Sequence, residues 1–153
     1  MLTVRRVPPG SPAVRFLEDM IQSEYVGMYG EPDLNPAGGL RLCEPPEGSI
    51  LVGFLDGAPV AMAGWQRLSN DVAVIKRVYT HWAHRRVGLS SKLLTELEQD
   101  AYGEGIRTLV LETGPAQTPA IKMYLGAGYV VTEPFGFYEK SDTSVFLSKE
   151  LTK

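Results

Sequence analysis

Apolar and polar residues alternate from Leu2 to Val7, and Pro8, Pro9 and Gly10 close the run, so the chain opens with a short strand and a turn. The period then changes. Ser11 is a good helix N-cap, Pro12 suits the first helical position, and Val14, Leu17, Ile21 and Met28 recur at roughly helical spacing out to Gly30. The pattern also admits a break into two helices near Glu24 to Gly27. Periodicity disappears from Glu31 to Gly48, a Pro- and Gly-rich stretch that reads as a long irregular loop, of the kind that is usually functional or disordered.

Two apolar, partly β-branched runs follow, Ser49 to Leu55 and Pro59 to Leu68, joined at Asp56-Gly57. That dipeptide is a strong hairpin signal because both residues tolerate positive φ. Asn70-Asp71 turns the chain into a third strand, Val72 to Tyr79. A helix is predicted from Arg86 to Tyr102, with Val87, Leu94, Leu97 and Ala101 on its apolar face and Gly103 and Gly105 at its end. Thr108 to Glu112 reads as a short strand, Thr118 to Leu125 as a short helix stopped at Gly126, and Tyr129 to Thr132 and Ser144 to Ser148 as the last strands. No repeat, low-complexity segment or shift in composition divides the chain, so residues 1–153 are expected to form one domain. The order predicts an α/β (α+β) fold: a single mixed, mostly antiparallel sheet of roughly six to seven strands flanked by about four helices.

Composition adds exclusions. At 153 residues, 44% hydrophobic and 22% charged, the chain has the make-up of a globular domain large enough to bury a core. A single cysteine, Cys43, permits no internal disulfide, and a cytoplasmic location is the simplest expectation. The first residues contain no apolar signal core, and no uncharged stretch approaches the ~20 residues a membrane helix needs, so neither export nor a membrane partner is expected. A net charge of -3 argues against nucleic acid as a partner. Basic residues concentrate locally, at His84-Arg85-Arg86.

That cluster lies in the most informative stretch, Val74 to Leu94, where a strand leads through a short loop into a helix whose first turn carries arginines, a glycine and small hydroxyl residues. The first N–H groups of a helix have no internal partner, Gly88 lets a ligand approach the backbone, and the macrodipole favours an anion there. Arg85 and Arg86 add forked positive charge suited to phosphate oxygens. The same residues also fit a plain reading, with Ser90 and Ser91 as small residues where helix meets sheet and the arginines as solvated surface.

Taken together, Arg85-x-x-Gly88-x-Ser90 followed by Lys92-Leu-Leu resembles the acetyl-CoA pyrophosphate loop of the GNAT-type N-acetyltransferases. Leu111 to Tyr129, reading Leu-Glu-Thr-Gly-x-x-Gln-x-x-Ala-Ile-x-x-Tyr-x-x-x-Gly-Tyr, resembles the strand and helix with which that family holds the pantetheine arm. Two such motifs in order are more specific than either alone. The resemblance covers essentially the whole chain and implies a GNAT-like fold with splayed central strands, acetyl-CoA as cofactor, and pantetheine amides paired to a strand edge in the manner of an added strand. Carried onto this sequence, the cofactor contacts fall on Val78, Tyr79, Thr80, Arg85, Arg86, Val87, Gly88, Leu89, Ser90, Ser91, Gln117, Ile121 and Tyr124. Ser90 stands where glycine or alanine is usual, and Gln117 replaces a common asparagine.

Acetyl transfer from a thioester to an amine requires a neutral amine, a polarised carbonyl and a proton for the departing sulfur. The resemblance implies that a backbone N–H near Val78 polarises the carbonyl and that Tyr124 is the acid, although a tyrosine on a short helix also packs in a purely structural role. The glutamate often found two residues before the Lys76-Arg77 pair is Val74 here. Glu112 is then the candidate base, with Glu24, Tyr25 or a chain of waters as alternatives and a salt-bridged or solvated Glu112 as the plain reading. His81 and His84 lack a second pair of ligands at metal-like spacing, and Cys43 lacks an activating pattern, so no metal site is expected. The family layout puts the acceptor near Glu24, Tyr25, Tyr29 and Tyr138, with Glu31, Asp33 and Phe135 close by. Carboxylates and aromatics together suit a cationic small-molecule amine, attacking directly in a ternary complex. The competing expectations are a non-catalytic acyl-CoA-binding module and an acetyltransferase of protein lysine or N-terminal amines; a homodimer is compatible with either.

Overall fold

Residues 2–29, 47–81, 88–113, 118–133 and 145–152 are described by the computed structural model of the chain, apart from the side chains of Tyr25, Met28, Tyr29, Arg77, Thr118 and Pro119. The elements run β1 (Leu2–Arg6), α1 (Pro12–Tyr29), β2 (Gly48–Leu55), β3 (Ala58–Arg67), β4 (Val72–Thr80), α2 (Leu89–Gly103), β5 (Thr108–Thr113), α3 (Thr118–Gly126), β6 (Val130–Val131) and β7 (Val145–Glu150). They form one 7-stranded sheet in the order β1-β2-β3-β4-β5-β7-β6. Every pairing is antiparallel except that of β4 with β5. The mixed, mostly antiparallel sheet expected from the strand pattern is therefore present.

Three helices occur among the described residues, where about four were expected, because α1 runs unbroken through Glu24 to Gly27. One interior glycine costs a helix only about 1 kcal/mol, too little to break a segment anchored by a buried face. That face includes Val14 and Leu17, both buried against β2 and β3 with Ile50, Val52, Met62 and Tyr79. Ser11 caps α1 as its residue type predicts, its Oγ accepting from the Ala13 N–H at 3.1 Å.

The second helix begins at Leu89 rather than Arg86. Gly88 has φ 83° and ψ 9°, a left-handed conformation that no helical turn contains, so the helix starts after it. At the other end Gly105, at φ 95°, donates to Tyr102 O and Ile106 donates to Ala101 O, closing the helix in a Schellman arrangement. The third helix ends at Gly126, as expected, and closes by the same device, with Tyr129 donating to Tyr124 O and the left-handed residue at Gly128.

The larger apolar layer lies between the sheet and α2, where Leu93, Leu94, Leu97 and Ala101 meet Trp65, Ile75, Leu109 and Leu147. A polar link fixes α2 on that layer. Asp100 accepts from Arg6 Nε at 2.7 Å through one oxygen and from the indole N–H of fully buried Trp65 at 2.9 Å through the other. Asp100→Ala leaves the indole N–H without its acceptor and is expected to cost about 2 kcal/mol, with Asp100→Asn losing less because one acceptor oxygen survives. Urea unfolding of the pair measures both, and equal losses would show that the charge, not the indole bond, dominates.

Candidate functional site

A gap in the sheet begins where β4 and β5 part. Their ladder joins Val72 to Thr108, Ala73 to Leu109 and Val74 to Val110, and then stops, although β4 continues to Thr80 and β5 to Thr113. The cause is on the other side of β4. Met62 pairs with Tyr79 and Gly64 with Lys76, so Ala63 stands opposite both Arg77 and Val78. Such a bulge bends its strand and increases its twist, which carries the second half of β4 away from β5. Main-chain groups of Val78 to Thr80 and of Leu111 to Thr113 thus face a gap wide enough for the ladder to end, the geometry that strand addition uses.

The gap leads to the start of α2. Gly88 O accepts the first helical bond, from Lys92 N at 3.1 Å, leaving the amides of Leu89, Ser90 and Ser91 without intrahelical partners, and no side chain among the described residues caps them. A Cβ built on Gly88 meets nothing within 4 Å, so the space beside this turn is open. Ser90 is half-buried and its hydroxyl is hydrogen-bonded to that of buried Thr80, which ties the end of β4 to the first turn of α2. Ser91 is exposed and its carbonyl accepts from Thr95 Oγ1 at 3.1 Å. Unpartnered amides, a positive dipole end and a glycine with open space make an anion cradle in physical terms.

Tyr124 approaches the same layer from α3, with Ile121 half-buried one turn earlier. It is 5% exposed, and burial alone raises its phenol pKa above the ordinary 10.0, holding the group as a neutral donor. Its ring meets that of Tyr129 edge to face at 5.4 Å. Tyr129 in turn donates to Glu98 Oε2 at 2.9 Å, and Lys149 Nζ lies 3.1 Å from Glu98 Oε1. Burial, then the Glu98 charge and hydrogen bond, push the Tyr129 phenol up as well. This support for Tyr124 was not anticipated from sequence. The only available signal was the Gly-Tyr pair after the helix, which does not reveal that α2 and β7 supply the partners.

The opposite face of the sheet looks toward α1. Tyr79 sends its ring to that face, into the α1 layer, and its hydroxyl donates to Glu24 Oε2 across 55 residues of sequence. Any contact of Tyr79 with a ligand in the gap is therefore through its main chain. Glu112 follows Leu111, which belongs to the α2 layer, so strand alternation puts half-buried Glu112 on the α1 face, in register with Phe146. The structure thus brings Val78, Thr80, Gly88, Leu89 and Ser90 together at one end of the gap and separates Tyr124 from Glu112 by face. Arg85, Arg86, Val87, Gln117 and Tyr138 lie outside the described residues, as do Glu31, Asp33, Cys43, His84 and Phe135 and the side chains of Tyr25 and Tyr29. No helix among the described residues is long and apolar enough to cross a membrane.

Comparison with known proteins identifies relatives of the chain and of its fold. The model of the acetyltransferase (GNAT) family matches residues 14–129. The chain is 27% identical over 155 aligned positions to an IAA acetyltransferase of Azospirillum brasilense, covering 98% of each chain. It is 27% identical over 110 positions to the type 1 aminoglycoside N(6')-acetyltransferase of Serratia marcescens, covering 65% of this chain and 74% of that one. Among solved structures, a provisionally assigned acyl-CoA N-acyltransferase of Klebsiella pneumoniae superposes with a TM-score of 0.85 at 27% identity, over 99% of both chains.

Proposed function

The chain belongs to the GNAT acetyltransferase family, and from that premise we propose that it transfers the acetyl group of acetyl-CoA to the primary amine of a small molecule by direct attack in a ternary complex. Acetyl-CoA, when bound, supplies an acetyl group activated as a thioester. The residues present suit it: the parted strands offer main-chain partners at Val78 and Thr80, and the open Gly88 turn accepts a pyrophosphate on the amides of Leu89, Ser90 and Ser91. The sequence motifs assign Arg85, Arg86, Val87 and Gln117 to the same cofactor, together with Ile121 of α3.

Each catalytic requirement then has a residue. The main-chain N–H at Val78, in the bulge, polarises the acetyl carbonyl. Tyr124, kept protonated by burial, donates to the departing sulfur. A carboxylate on the α1 face, Glu112 or Glu24, takes the proton of the acceptor ammonium. Support for a small-molecule acceptor comes from the carboxylates and phenol on that face, which suit a cation, and from relatives named for IAA and an aminoglycoside.

The observation that carries the reading is the parted β4–β5 edge running to an uncapped helix start at Gly88. Its test is release of free CoA thiol from acetyl-CoA across amino acids, polyamines, aminoglycosides and lysine peptides. Turnover above the no-acceptor background is expected with one small-molecule class. Turnover with peptides alone would reassign the enzyme to protein amines. Acetyl-CoA binding without turnover on any acceptor would favour the non-catalytic binding module, which the valine at position 74 also fits.

A further inference from the structure

On the α1 face of the sheet, the pair formed by Glu24 and Tyr79 offers a more specific acceptor site than the strand carboxylate does. Tyr79 is the first residue beyond the β4 bulge. Its ring is 8% exposed among Leu17, Ile50 and Met62, and its hydroxyl holds Oε2 of half-buried Glu24. A carboxylate late in α1 is thereby fixed over the strand whose main chain borders the gap. We propose that Glu24, positioned by Tyr79, receives the ammonium of an alkylamine acceptor and removes its proton, an assignment that rests on the acetyltransferase reading above and names its acceptor chemistry.

The reaction needs such a group because an alkylammonium with a pKa of about 10.4 is neutral in only about one molecule in 10³ near pH 7. Strand β4 supplies no proton acceptor at Val74, which is buried at 4% exposure. With Glu24 in that role the balance closes. One ammonium proton passes to Glu24 and on to solvent, and the freed nitrogen pair forms the C–N bond to the acetyl carbonyl carbon. The C–S bond breaks with its electron pair on sulfur. The sulfur takes the Tyr124 proton, and Tyr124 recovers the second proton lost from nitrogen, so one proton is released per amide formed. Among the described residues, the other titratable groups on this face include Arg5 of β1, whose guanidinium lies over the Phe54 ring, Lys76 of β4, His81 just after β4, whose ring stacks on Phe16 of α1, and Glu112 of β5, and α1 itself carries Glu18.

The experiment compares Glu24→Gln, Tyr79→Phe and Glu112→Gln with the wild-type protein, using the amine acceptor identified by thiol release and calorimetry with a polyamine in the presence of CoA. Glu24→Gln is expected to bind the polyamine at least about tenfold more weakly, since a charged hydrogen bond is lost. It is expected to lower kcat about a thousandfold at pH 7, in step with the scarcity of neutral amine there, while acetyl-CoA affinity stays within twofold. Its rate should climb about tenfold per pH unit and meet the wild-type rate near the amine's own pKa, because a neutral amine no longer needs a base. Tyr79→Phe keeps the ring volume and the carboxylate, so it should raise KM for the amine more than it lowers kcat. Polyamine affinity and rate within twofold of wild type in Glu24→Gln, or a deficit that does not recover with pH, would overturn the assignment. The same alkaline recovery in Glu112→Gln instead would give the role to Glu112. Polyamine binding that depends on Glu24 in a protein without turnover would overturn the transferase reading and leave the ammonium site standing.

Discussion

Gly88→Val is expected to reduce acetyl-CoA affinity by at least about a hundredfold while the protein stays folded, the scale of losing several charge-assisted hydrogen bonds at once. The argument begins with the backbone. At φ 83° and ψ 9° Gly88 is in the left-handed region, where an L side chain costs about 1–2 kcal/mol and a β-branched one more. That strain is small against a typical folding stability of about 5–15 kcal/mol, and a Cβ at Gly88 meets no packed atom, so the fold should survive. Binding should not. Relaxing the strain means turning the peptide planes that aim the first α2 amides, and an isopropyl group occupies open space beside them. Gly88→Asn separates the two effects, because asparagine adopts left-handed backbone readily and leaves mainly the bulk. Calorimetry with acetyl-CoA gives the affinities and urea unfolding gives the stabilities. An affinity within threefold of wild type in the valine variant would put the pyrophosphate somewhere other than this turn.

Gly88 could be singled out from sequence because its signal is local: a glycine in the first turn of a predicted helix, shortly after a predicted strand and near arginines. The hairpin at Asp56 and Gly57 was legible for the same reason, and both residues do take positive φ, 51° and 87°. The Ser11 cap is local too. What sequence could not yield depends on partners far along the chain. The β4 bulge is not legible in the run Val72 to Thr80 alone, since the misfit is with Ala63 of the neighbouring strand. The Tyr79–Glu24 bond spans 55 residues and requires the packing of α1 on β4 to be known first. Helix limits slipped for a related reason. The apolar period reaches back to Arg86, but α2 begins at Leu89, after the left-handed Gly88, a conformation that the period does not reveal. Chemistry was therefore clearest where a single turn of chain carries it and least clear where α1, β4 and β5 must meet.

Tyr124→Phe is the second large effect, with kcat expected to fall about 10²–10³-fold and acetyl-CoA KM to stay within twofold. Phenylalanine fills the same space beside Tyr129, and burial alone accounts for the raised pKa of the phenol, so removing the hydroxyl should change stability by less than about 1 kcal/mol. A rate loss with unchanged packing is the mark of a proton donor rather than a core residue. The pH dependence sharpens this. Because the folded pKa lies above the ordinary 10.0, Tyr124 remains protonated throughout the range in which the enzyme is assayed, and wild-type kcat should show no alkaline decline from this group up to 10.0. Stability behaves in the related sense. Below 10.0 both folded and unfolded chains keep this proton, but above it the unfolded phenol ionises while the folded one does not, so the unfolded state gains and stability falls as pH rises further. The phenylalanine variant loses that share of the alkaline destabilisation, while Tyr129, shifted in the same direction, keeps its own. If Tyr124→Phe turns over at the wild-type rate, the sulfur takes its proton from solvent and Tyr124 is a packing residue; if kcat falls while the alkaline stability curve flattens as described, the buried phenol and the proton donor are the same group.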